Sequence, residues 1–190
     1  MNVGTHLFWI SSRAAGMAAL LLASSSVVCG LMIGSKRRSL NRTDFRTAHE
    51  ILSLATLFFV GLHGLALLAD SWLNPGVAGI TIPFASSYRP LWTGLGIVAG
   101  YGLAILGLSY YLRERIGPAR WRRLHRLTAA FWLLAIVHTI GAGSDAGQAW
   151  FLVLAGVCIA PAALLIAARW LDRARPGNPA GRPAAAPLSP

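Results

Sequence analysis

Five stretches of the chain are apolar almost without interruption: residues 7–33, 51–69, 91–112, 127–140 and 150–168. A helix rises 1.5 Å per residue, so about 20 apolar residues cross a hydrocarbon core about 30 Å thick. Four of the stretches come near that length or exceed it. The stretch at 127–140 is short. It gains the missing turns if its helix starts at 118–121. Pro118 fits a first turn there, because its missing N–H is one that the helix leaves unbonded anyway. The pattern predicts an all-α membrane protein with five transmembrane helices.

The connections between these stretches are more polar. The longest, 70–90, carries the turn signal Asn74-Pro75-Gly76 and an apolar piece at 80–84 that suits the membrane interface. RERIGPARWRR at 113–123 reads as a short basic loop, and 141–148 as a small outer one. Residues 176–190 are rich in Pro, Ala and Gly and are expected to be disordered. The chain then divides into a transmembrane domain at 1–175 and a cytoplasmic tail at 176–190.

Composition agrees. Of 190 residues, 55% are hydrophobic and 12% charged, with a mean hydropathy of +0.57. A soluble domain carries about twice that share of charge. The formal net charge of +11 raises nucleic-acid binding, but its placement argues against it. Of 17 Lys and Arg, five fall in 36–46, six in 113–126 and four after Ala168. These clusters follow the first, third and fifth apolar stretches and so share one side of the membrane. The positive-inside rule makes that side cytoplasmic, with the N-terminus outside and the C-terminus inside. A bacterial plasma membrane is the expected location, and the basic clusters suit anionic lipid head groups. No basic region precedes the first apolar run, whereas Lys36, Arg37 and Arg38 follow it, so that run reads as a retained span. Cys29 and Cys158 both fall within spans and read as buried, inert thiols.

Four histidines change the picture. His49 and His63 stand 14 residues apart in one apolar segment, and His125 and His138 stand 13 apart in another. An ionisable residue within a membrane helix is costly and marks function. Fourteen residues climb about 21 Å and thirteen about 20 Å. Both helices run from the inside outward, so His49 lies level with His125, and His63 with His138. Neutral imidazole is a haem ligand. The two level pairs predict two haems stacked across the membrane, each iron taking one histidine from each helix. No C-x-x-C-H occurs, so the haem would be b-type and held without covalent attachment. His6 lies outside the pattern as a solvated terminal residue.

The angular test is mixed. At 100° per residue, fourteen steps return to within about 40° of the start, while thirteen miss by about 140°. The fourth span must be tightened or kinked between its histidines, or else it presents them on different sides. A rival reading is a haem-free transporter or proton relay that uses membrane His and Arg. A relay would grade its groups along one path rather than set them in level pairs. A scaffold subunit of a larger redox complex is a third reading.

In RERIGPARWRRLHRLTAAFWLLAIVHTI a basic loop, Trp121, Leu124-His125-Arg126 and a second histidine follow in order, and SSYRPLWTGLG opens the third span. In these features the chain resembles the ferric reductase-like transmembrane domain family, over about residues 45–170. That family includes the membrane part of ferric reductases and NADPH oxidases, and the haem-binding subunit of the bacterial methionine sulfoxide reductase system. The resemblance implies a helical bundle that holds b-type haems between two His-bearing helices and carries electrons across the membrane. It places His49, His63, His125 and His138 at the four ligand positions. Two departures are informative. The chain stops about 20 residues after its last span, without a nicotinamide-binding G-x-G-x-x-G. It also has five spans where several relatives have six. A separate electron donor is therefore expected, either a flavoprotein or a membrane quinol. The outer acceptor stays open among ferric ion, a protein and oxygen.

Supporting residues follow from charge. Haem propionates are carboxylates, and Arg is their natural partner. Arg46 precedes His49 by three residues and Arg126 adjoins His125, though both also serve as topology charges. Arg13 and Arg89 lie on the side poor in positive charge, where they can meet the outer haem, an acceptor or lipid head groups. Trp92, Trp132, Phe59 and Phe131 either line haem faces or pack. The serines at 11–12 and 24–26 and the glycines of the third span read chiefly as close-packing residues, with Gly96 and Gly100 also able to admit a flat ring. Asp70 and Asp145 read as solvated acids of outer loops.

Overall fold

A computed structural model describes residues 6–34 and 42–174. Among these, all regular structure is helical: α1 (Leu7–Ile33), α2 (Arg42–Ala69), α3 (Gly76–Thr81), α4 (Pro90–Leu108), α5 (Arg113–Ile116), α6 (Pro118–His125), α7 (Thr128–Ala142) and α8 (Ala149–Ala174). Five helical runs are long and apolar enough to cross a membrane: Leu7–Ile33, Thr43–Ala69, Pro90–Ile116, Pro118–Ala142 and Ala149–Leu171. The protein is thus the multi-pass, all-α membrane protein that the hydropathy pattern predicts. The tail at 176–190 and the basic residues Lys36, Arg37 and Arg38 lie outside the described residues.

Of the expected basic loop at 113–123, residues 113–116 are helical instead, while 118–123 form the helix start that the length of the fourth span called for. A 3₁₀ turn at Ser109–Leu112 carries α4 into α5, and α6 follows directly. The chain reverses at Gly117 alone, whose φ of 90° is open only to glycine without strain. Arg is a good helix former, so the charged residues on either side extend the helices rather than break them. Pro118 occupies the first turn of α6, as expected.

The fourth span is interrupted between its histidines, the first of the two alternatives that the angular mismatch left open. α6 ends at His125 and α7 begins at Thr128. Between them, Leu127 N–H donates to Leu124 C=O at 2.9 Å, and Ala130 N–H to Leu127 C=O at 3.0 Å. Bonds that reach back three residues wind the chain more tightly than an α-helix does. Thr128 Oγ1 donates to the His125 carbonyl at 2.6 Å, satisfying it across the break.

α1 packs along α2 and against α8, while α4 packs along α7. The core lies where α1, α7 and α8 meet: Leu20 and Ala23, then Trp132 and Ile136, then Ala162. Large apolar side chains such as Phe58, Ile105 and Leu164 face outward. A lipid-facing surface needs that distribution. In the connection at 70–90, Asn74 and Gly76 take positive φ, as the turn signal predicts, and Ile82 and Phe84 are exposed. Asp70 is buried rather than solvated. Its carboxylate accepts the Leu73 N–H at 2.7 Å and so closes the end of α2.

Candidate functional site

The histidines meet in the level pairs that the spacing predicts. The rings of His49 and His125 have their centres 5.9 Å apart, nearly perpendicular at 88°. Those of His63 and His138 are 6.4 Å apart at 74°. α2 and α7 are not among the closely packed helix pairs, so these rings face each other across a gap between helices. The tightened turn after His125 lets both histidines of the fourth span face α2, and the alternative of opposite sides falls away.

Each ring is held from behind through Nδ1. His63 Nδ1 lies 2.8 Å from the Ser12 carbonyl, and His49 Nδ1 lies 2.9 Å from the Ser26 carbonyl. His138 Nδ1 is 2.9 Å from the Trp92 carbonyl, and His125 makes a longer contact of 3.5 Å to the Leu106 carbonyl. A carbonyl only accepts, so Nδ1 must carry the proton and donate it. Nε2 is then left with its lone pair, the form in which imidazole binds a metal. Trp121 adds support to His125, stacking on its ring at 4.9 Å while its own N–H donates to Ser109 Oγ at 3.2 Å.

Space for the rings comes from glycine. A Cβ at Gly96 would overlap the His138 ring, and one at Gly102 the Phe131 ring. The flat rings admitted by α4 are thus side chains of α7.

The geometry fits a bis-histidine cofactor. Two imidazoles bound on opposite sides of one metal at about 2 Å place their ring centres about 6 Å apart. Among the described residues no group of three or more His, Cys, Asp or Glu can hold a metal ion by itself. A histidine pair completes a site when the bound group brings its own equatorial ligands, as a porphyrin does.

The arginines are distributed between the two levels. Arg46 and Arg126 are exposed beside the His49–His125 pair. Arg89 begins α4 and donates to the Gly141 carbonyl at 2.6 Å, three residues beyond His138. Arg13, next to Ser12, forms an ion pair with Asp145 and lies 4.3 Å over the Trp9 ring. Asp145 is therefore a paired group and not a free loop acid. Of the four aromatics singled out above, Trp132 belongs to the core and Phe59 packs on Phe58 at 5.4 Å. Trp92 places its ring against Gly141 and its carbonyl on His138.

A membrane helical bundle with two levels of facing histidines defines the class of this protein. Its family is shown by comparison: the model for the ferric reductase like transmembrane component matches residues 15–136, more than half of the chain, and the chain belongs to that family. The match takes in most of α1, which the resemblance at 45–170 left out, and stops two residues short of His138. No curated protein and no solved structure matches the chain. Domains of this family have a role in transmembrane electron transfer, generally bind haem b, and usually pair with a cytoplasmic flavin or other donor.

Proposed function

We propose that the chain is a b-type cytochrome that relays electrons across the membrane through two bis-histidine haems. His49 and His125 hold the inner haem, and His63 and His138 hold the outer one. The observation that carries this reading is the pair of ring separations, 5.9 and 6.4 Å, with the Nδ1 of every ring turned to a backbone carbonyl. A haem held by each histidine pair would supply a one-electron redox centre. The protein fixes each imidazole as the Nε2 ligand and surrounds it with apolar helix.

Arg46 and Arg126 are proposed as partners of the inner propionates. Arg13 and Arg89 are proposed at the outer level, where Arg13 shares its charge with Asp145. Electrons enter from a flavin or a quinol donor and leave to an acceptor at the outer face of a bacterial plasma membrane.

The test is the visible spectrum and haem content of protein purified from haem-replete cells. The expected result is the sharp reduced bands of low-spin haem, with close to two haems per chain. A colourless, haem-free protein would overturn the reading in favour of a transporter or proton relay.

A further inference from the structure

We infer that α1 is the positioning element for the histidines of α2, built as two copies of one device: Ser12-x-x-x-Gly16 for His63 and Ser26-x-x-x-Gly30 for His49. The inference rests on the haem reading above and deepens it. Ser12 and Ser26 are 14 residues apart, as are Gly16 and Gly30, and as are His49 and His63. The two helices run antiparallel, so the first copy on α1 meets the second histidine of α2.

In each copy the serine makes three contacts. Its carbonyl accepts the histidine Nδ1–H. Its hydroxyl oxygen lies close enough to share that proton, 2.9 Å from His63 Nδ1 at Ser12 and 3.0 Å from His49 Nδ1 at Ser26. The same hydroxyl then donates to the histidine's own carbonyl, at 3.1 Å for Ser12 and 3.5 Å for Ser26. Such three-centre bonds fix the ring's tautomer and orientation together. In the inner copy Ser53 joins in, 2.8 Å from Ser26 Oγ and donating to the His49 carbonyl at 2.7 Å.

The glycine one turn later makes room for the ring. A Cβ at Gly16 would stand 3.1 Å from His63 Nδ1, and one at Gly30 would stand 3.2 Å from His49 Cε1. Packing alone does not account for this arrangement. Ser11 and Ser25, also 14 apart and equally small, face outward, while Ser12 and Ser26 are buried against the rings.

The chemistry gives a direction. An acceptor on Nδ1–H pushes electron density into the imidazole and favours the oxidised metal, which lowers the midpoint potential. Cysteine is close to serine in size but a weak acceptor. Ser12→Cys should therefore raise the potential of one haem only, the one missing from His63→Ala. Ser26→Cys should raise only the one missing from His49→Ala. Ser11→Cys and Ser25→Cys should move neither.

The experiment is a spectroelectrochemical titration of the purified full-length protein and these variants. Ser12→Ala and Ser26→Ala replace any cysteine variant that fails to accumulate. If both buried-serine variants leave the two potentials in place, or shift them together, the positioning role is wrong. A wild-type protein that still shows two haems keeps the parent reading standing in that case. A wild-type protein without haem overturns both.

Discussion

The indole N–H of Trp132 on α7 donates to the Ser24 hydroxyl on α1 across 3.1 Å, with both residues only 1% exposed. The Ser24 hydroxyl in turn donates to the Leu20 carbonyl at 2.8 Å. A chain of two hydrogen bonds thus crosses the apolar core and fixes the fourth span's rotation against the first. That rotation also decides where His138 points, six residues further on.

Ser24→Ala leaves a buried indole N–H without a partner. The expected loss is about 1 kcal/mol, at the low end for a buried unsatisfied group, since polar bonds between membrane helices are worth somewhat less than in water. Trp132→Ala also opens a cavity and should lose about 3–5 kcal/mol. The two sites share one bond, so Ser24→Ala combined with Trp132→Phe should lose less than the sum of the singles. Unfolding titrations in mixed micelles measure all of these. Full additivity would show that the bond contributes nothing.

Gly96 on α4 supplies a sharper steric test. A Cβ there would overlap the His138 ring, and that ring cannot easily retreat because its Nδ1–H is bonded to Trp92 C=O on the same helix. Gly96→Ala should therefore reduce the proposed outer haem while the inner one persists. Gly156 on α8 has nothing within 4 Å of its Cβ position. Gly156→Ala should leave both spectral components unchanged, with stability level or raised by about 0.5–1 kcal/mol. Equal spectra for Gly96→Ala and wild type would count against the placement of His138.

The parts of this architecture that were legible in the sequence rest on one-dimensional regularities. Apolar run length marks the spans, and helical rise puts His49 level with His125 and His63 with His138. The angular mismatch of thirteen steps at 100° narrowed the fourth span to a tightened turn or to histidines on opposite sides, and only the packed helices decide between the two. Partnerships between helices were not legible. Ser12 and Ser26 looked like packing residues because their role depends on which helix they face. The 14-residue repeat they share with the histidines was the available signal. Asp70 and Asp145 looked like loop acids because burial and ion pairing depend on how the connections between spans fold back. The helix at 113–116 was not legible because a high density of arginine resembles a linker, although Arg favours helix and Gly117 alone makes the turn.

Charge placement predicts the orientation of the chain. Fifteen of 17 basic residues fall in the three clusters. An outside N-terminus and an inside C-terminus follow from the positive-inside rule. With Cys29 and Cys158 replaced by alanine, Asn2→Cys should react with an impermeant thiol reagent in intact cells. Pro190→Cys should react only after permeabilisation. Reaction of both from the same side would remove the five-span topology and the direction of electron flow with it.

The level pairing predicts that histidine substitutions sort by depth and not by helix. His63 and His138 lie on different helices but face each other at 6.4 Å, and His49 and His125 do so at 5.9 Å. His63→Ala and His138→Ala should each remove mainly the outer haem, leaving an inner one that still accepts electrons from a cytoplasmic donor. Transfer to an outside acceptor should fail in both. His49→Ala and His125→Ala should instead remove the inner haem and block entry. Each variant leaves a partner imidazole facing the gap with nothing bound at Nε2, so some loss of stability should accompany the spectral change. His125 has the longest Nδ1 contact, 3.5 Å, and leans on the Trp121 ring instead. Trp121→Ala should therefore weaken the inner haem in the manner of a mild His125→Ala. Reduced-minus-oxidised spectra and redox titrations of each variant make the comparison. If His63→Ala and His49→Ala lacked one component while His138→Ala and His125→Ala lacked the other, the haems would be assigned by helix, and the pairing by depth would be wrong.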